Sequence, residues 1–139
     1  MTTLIRKLIS TSNAAKPVAP YNQAVVADRT VYVSGCLGLD KNTMQLVPGG
    51  AAEQADMALK NLQAVLVAAD SGVDKVIKNT IFLKDLNDFG AVNEVYKKVF
   101  TKEFPARSCF QVAHLPMNAL VEIESIAMTG PIKTVTAAD

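Results

Sequence analysis

The chain has 139 residues, with 14 Lys plus Arg against 13 Asp plus Glu and a formal net charge of +1. Bulk charge therefore marks out no polyanion as an obligatory partner, since a nucleic-acid binder concentrates basic residues on one face. Half of the residues are hydrophobic and mean hydropathy is +0.20, yet no apolar run approaches the ~18 residues of a membrane span.

A chain of this length forms one domain, 1–139, that buries roughly two thirds of its unfolded surface. Surplus apolar surface on such a domain predicts a homo-oligomer. The two cysteines, Cys36 and Cys109, lack the paired spacing of a zinc or redox motif and are expected as reduced thiols in the cytosol.

The N-terminal "MTTLIRKLIST" is basic and free of acids, as transit peptides are, but it lacks an amphipathic helical pattern and reads better as a short edge strand. Pro17 and Pro20 then fix an extended loop that delivers Tyr21. In "QAVVADRTVYVSG" two β-branched runs flank a polar turn at Asp28 and Arg29, which predicts a hairpin. Gly35 and Gly38 at its end permit a bulge or a close approach.

"AAEQADMALKNLQAVLVAADSG" is a helix, with Ala55, Leu59, Leu62, Leu66 and Ala69 on one stripe and Gly72 at its end. "VIKNTIFLKDL" is a strand, followed by an Asn87 or Asp88 cap and a second helix from about Phe89 to Phe100 with Val92, Tyr96 and Val99 inward. "ARSCFQV" and "LVEIESIAM" are two further strands, joined as a hairpin or as near neighbours. The expected fold is α+β, a mixed sheet with two helices packed on one face.

Chemistry is concentrated in "FPARSCFQVAHLP". With one histidine there is no two-histidine metal site, and no glycine-rich phosphate loop is present, so no cofactor is expected. Cys109 and His114 look like a nucleophile and base, but five residues of extended chain separate them by roughly 16 Å. A buried thiol and a surface imidazole are the plainer readings.

Arg107 shares a strand face with Cys109 and Gln111, and its permanent charge needs a carboxylate if that face is buried. Two readings stay open. In one, Arg107 pairs across strands with Glu124, and Cys109 faces Glu122. In the other, Arg107 binds the carboxylate of a small 2-oxo or 2-imino acid while a nearby Glu handles water.

The segment "PARSCFQVAHLP" followed by "VEI" resembles the signature of the RidA subgroup of the Rid (YjgF-type) family. Similarity continues through "APYNQAV", "VYVSG", "VIKNTIFLKDLNDFGAVNEVYKKVF" and "VEIESIAM", nearly the whole chain. The resemblance implies a chorismate-mutase-like α+β fold, a homotrimer with clefts between subunits, no cofactor, and deamination of 2-iminobutanoate and 2-iminopropanoate. It assigns Arg107 to the substrate carboxylate and Glu122 to the attacking water. It places Tyr21, Ser34, Gly35 and Asn93 around the substrate, with Cys109 contributing backbone contacts. Cys36 departs from the family pattern, where many members have glutamine after "SG", and this alters the pocket wall.

Two other functions compete. A nucleic-acid role, linked to this family as RNA cleavage and translation inhibition, would need trimerisation to cluster Lys97, Lys98 and Lys102. A non-enzymatic holdase would use the surplus apolar surface. The expected partners are a small 2-imino acid and two further copies of the chain, with no nucleic acid and no membrane. The expected compartment is the cytoplasm, with a mitochondrial or nuclear pool left open.

Overall fold

The computed structural model describes all 139 residues. Its strands are β1 (Arg6–Ile9), β2 (Ala24–Ala27), β3 (Thr30–Leu37), β4 (Val76–Leu83), β5 (Ala106–Gln111) and β6 (Val121–Met128), with helices α1 (Ala51–Ala68) and α2 (Phe89–Val99). They form one six-stranded sheet in the order β1-β2-β3-β6-β4-β5. This is the α+β architecture that the sequence predicts. No helix is long and apolar enough to cross a membrane.

Neighbouring strands are antiparallel except β4 and β5, which run parallel. Parallel neighbours need a crossover, and α2 supplies it. β6 then returns to the gap between β3 and β4, so β5 and β6 are near neighbours separated by β4 rather than a hairpin.

Alternation decides which face each side chain takes. On β6, Val121, Ile123, Ser125 and Ala127 are buried beneath the helices, and on β4 the same holds for Asn79, Ile81 and Leu83. The α1 stripe lands as expected: Ala55, Leu59, Leu62, Leu66 and Ala69 are all buried. Each buried leucine contributes about 1.5–3 kcal/mol relative to exposure. On the other face Leu8, Tyr32 and Phe110 are exposed, and no element of the chain covers them.

Three local features set the helices. Gly38 lets α1 approach β3, since a Cβ there would meet the Cα and carbonyl oxygen of Gln54 at 2.6 Å. The turn ending α1 uses Asp70, at φ 56°, in the left-handed position expected for Gly72; a short polar side chain tolerates that region. Ahead of α2, Asp88 takes the expected N-cap position but its side chain makes no capping hydrogen bond, and the capping side chain lies upstream. The Asp85 carboxylate accepts the Asn87 N–H at 2.8 Å and opens a short 3₁₀ turn that runs into the helix.

Candidate active site

Arg107 lies on the edge strand β5, in register with Asn79 on β4, which is in turn opposite Ser125 on β6. That row faces the helices. The guanidinium carbon sits 4.8 Å from the centroid of the Tyr96 ring and 5.6 Å from that of Phe89. Both are cation–π distances.

The ion pairs of the chain are Lys7–Asp70, Lys60–Asp56 and Lys97–Glu94. Arg107 is in none of them. The cross-strand pair with Glu124 does not form, because β4 lies between the strands and Glu124 faces away from the helices. The same register places Cys109 beside Ile81 rather than Glu122. The Arg107 fork instead borders an open cleft of about 300 Å³ lined by Asn93, Tyr96, Lys97, Phe104 and Pro105.

Glu122 belongs to the opposite face. It is in register with Phe82 on β4 and Leu37 on β3, one residue out of phase with the buried Ile123. A shift in register between Val33 and Cys36 accompanies Gly35. A Cβ on Gly35 would meet Glu122 Cδ at 2.6 Å and Oε1 at 2.7 Å, so the missing side chain makes room for this carboxylate. Burial pushes the Glu122 carboxyl above the ordinary glutamate value, and the nearby Glu124 charge pushes it the same way.

Neither thiol is poised as a nucleophile. Burial, with a smaller contribution from Glu122, pushes Cys36 up to about 12. Burial also raises Cys109, with Arg107 partly offsetting it. His114 is exposed beyond the end of β5.

Tyr21, Ser34 and Gly35 meet at a narrow cleft of about 40 Å³ that Lys16 and Cys36 also border. Tyr21 stands on the proline loop, half-exposed at 43%. Two buried amides that the sequence reading passed over hold that loop. Gln23 accepts the Thr11 N–H at 2.7 Å and donates to the Ala15 carbonyl at 2.9 Å. Asn61 accepts the Ala15 N–H at 3.0 Å and donates to the Leu37 and Leu39 carbonyls at 3.0 and 2.9 Å. Asn61 adjoins the buried Leu62 on α1, and a polar residue beside an apolar stripe was the available signal.

The expected site residues therefore fall into two clusters. Tyr21, Ser34, Gly35 and Glu122 gather near β3 and β6. Arg107 and Asn93 gather between β5 and α2, with Cys109 on the Arg107 face.

A family model described as endoribonuclease L-PSP matches residues 11–129. The chain belongs to that family. Its most similar relatives include the RutC family protein UK114 of Drosophila melanogaster, 82% identical over 98% of this chain and 99% of that protein. The 2-iminobutanoate/2-iminopropanoate deaminase of Rattus norvegicus is 52% identical over 96% of this chain and 98% of that enzyme. Among solved structures, E. coli TdcF with bound serine aligns at a TM-score of 0.85 and 40% identity, covering 89% of this chain and 99% of that one. The Rid resemblance read from the sequence motif is thereby shown.

Proposed function

We propose that the chain hydrolyses small 2-imino acids, and the enamines in equilibrium with them, to 2-oxo acids and ammonia. The observation that carries this reading is the Arg107 guanidinium, spread over Tyr96 and Phe89 with no carboxylate partner in its own chain. A planar fork kept free of internal ion pairs suits a ligand carboxylate. The deaminase name of the rat relative and the serine bound to TdcF support a small amino-acid-like substrate.

In this mechanism Arg107 binds the substrate carboxylate through two charged hydrogen bonds, each contributing about 1.5–3 kcal/mol. Glu122 accepts a proton from a water as it adds to the carbon of the protonated imine, and passes that proton to the amine nitrogen of the resulting carbinolamine. The carbinolamine then collapses: its hydroxyl gives up its proton to the ionised Glu122 and from there to solvent, the C–N bond breaks, ammonia leaves and a C=O bond remains. A carboxyl raised by burial is a stronger base than an ordinary glutamate, which fits that role. Imines hydrolyse without help, so orientation suffices where a strong nucleophile would otherwise be needed.

Because Arg107 and Glu122 lie on opposite faces, one copy does not assemble the site. A homotrimer with three clefts between subunits fits, Arg107, Asn93 and Cys109 coming from one copy and Tyr21, Ser34, Gly35 and Glu122 from the next. The exposed Leu8, Tyr32 and Phe110 supply apolar surface for such contacts.

The test couples the purified protein to a threonine dehydratase and follows loss of the imine by semicarbazide trapping. The wild type accelerates that loss, and Arg107→Ala removes the effect while keeping its oligomeric state. Undiminished deamination by folded Arg107→Ala would reject the reading.

A further inference from the structure

Besides the buried amides Gln23, Gln54 and Asn61, the helix-side core holds a polar row that joins the sheet to α2. Ser125 on β6, Asn79 on β4 and Tyr96 on α2 are 3%, 0% and 7% exposed. The Ser125 hydroxyl donates to the Asn79 side-chain oxygen, and the Asn79 amide donates to the Tyr96 hydroxyl at 2.9 Å. Burying such groups among leucines and valines is costly unless each is partnered, and here each is. Fold specificity alone would account for a closed network, but this one ends beneath a functional group.

The Tyr96 ring is fixed at several points. Asn79 holds its hydroxyl, Phe100 stacks on the ring with centroids 4.6 Å apart and planes at 28°, and the Arg107 guanidinium lies over it at 4.8 Å. Burial raises the Tyr96 phenol, so the ring stays neutral and attractive to a cation across the working pH range. An arginine with no ion pair would otherwise sample many rotamers and lose that freedom on binding. Held on a fixed ring, it has lost much of it beforehand.

We propose that Asn79 and Tyr96 are positioning residues for the carboxylate anchor: Asn79 orients the Tyr96 ring, and the ring presents the Arg107 fork to the cleft. This rests on the deaminase reading above and extends it to two residues that do not touch the reacting atoms. The anchor is thus set from the centre of the sheet, through hydrogen bonds that reach β6.

The experiment measures KM and kcat for enzymatically generated 2-iminobutanoate, calorimetric Kd for 2-oxobutanoate as a stable carboxylate probe, and thermal melting for each variant. Tyr96→Leu removes the platform and is expected to raise both KM and Kd about tenfold, the scale of a desolvated cation–π contact. Tyr96→Phe keeps the ring but frees it from Asn79, and about a threefold rise is expected, as for one lost hydrogen bond. Asn79→Ala should match Tyr96→Phe. The double variant should bind no worse than either single one, because both break the same link.

Lower melting temperatures with unchanged KM and Kd in all these variants would overturn the proposal and leave a purely structural network. Additive losses in the double variant would overturn the coupling. Should Tyr96→Leu fail to fold, Tyr96→Phe and Asn79→Ala still decide it. A wild type that neither deaminates the imine nor binds 2-oxobutanoate overturns the deaminase reading itself, and this inference with it.

Discussion

Arg107 and Glu122 are held on opposite faces of the same sheet with β4 between them: Arg107 is in register with the buried Asn79, Glu122 with the outward Phe82. If the two act on one substrate, they come from different copies. Arg107→Ala and Glu122→Gln should each be inactive alone, with losses of about 10²-fold or more for the arginine. Mixed after denaturation and reassembled in equal amounts, they should recover about a quarter of wild-type activity, the share of cyclic interfaces that receive both intact residues. Recovery is read in the dehydratase-coupled assay, and none would mean that each site is built within one copy.

Gly35 offers a substitution aimed at Glu122 without touching it chemically. A methyl there would meet the carboxylate end of Glu122 at 2.6 Å. That end is flexible, so the side chain swings aside at little cost to folding. Gly35→Ala is expected to lower kcat at least tenfold while the melting temperature moves by only a few degrees, about the shift of 1 kcal/mol or less in a domain of this size. An unchanged kcat would separate Glu122 from the chemistry.

Acidity should affect activity and stability in opposite directions. Burial raises Glu122 above its reference value of 4.5, so the folded chain binds that proton more tightly than the unfolded chain. Between the reference value and the raised one, stability from this group therefore falls as pH rises. Activity climbs over the same window, because the base works only when ionised. Paired pH profiles of kcat/KM and of urea midpoints check this, with Glu122→Gln expected to flatten the contribution of this group to the stability profile. An acid limb at the ordinary glutamate value would contradict the raised carboxyl.

The thiols should be silent. With Cys36 pushed up to about 12 and Cys109 also raised by burial, the thiolate fraction at neutral pH is small. Iodoacetamide at pH 7 should label the native protein slowly and leave deamination intact over the time in which a model thiol reacts fully. Rapid inactivation that tracks one labelled cysteine would return the thiol to the mechanism.

Local pattern revealed most of the elements and which way their side chains point, because period and turn chemistry are written in adjacent residues. Alternation put Arg107 and Cys109 on one face correctly, and the α1 stripe was visible as a 3.6-residue repeat. Strand neighbours were less legible. β5 and β6 follow one another in sequence, but the crossover through α2 and the return of β6 beside β3 depend on contacts far apart in the chain, and these removed the expected Arg107–Glu124 pair. Tyr96 was legible as a core residue and not as a platform, since nothing in the sequence says that Asn79 will hold its hydroxyl or that Arg107 will lie across its ring. The motif resemblance, by contrast, named Arg107 and Glu122 without saying which face each occupies.

Gly35 and Gly38 lie three residues apart, and replacing either would place a methyl within 2.6 Å of another atom. At Gly38 that atom belongs to the backbone of α1, which cannot step aside without lifting the helix from the sheet. At Gly35 it is the tip of a side chain. A variant library sorted for folded, abundant protein would discard changes at Gly38 and retain many at Gly35, so tolerance at Gly35 would be mistaken for indifference unless the library were also sorted for turnover.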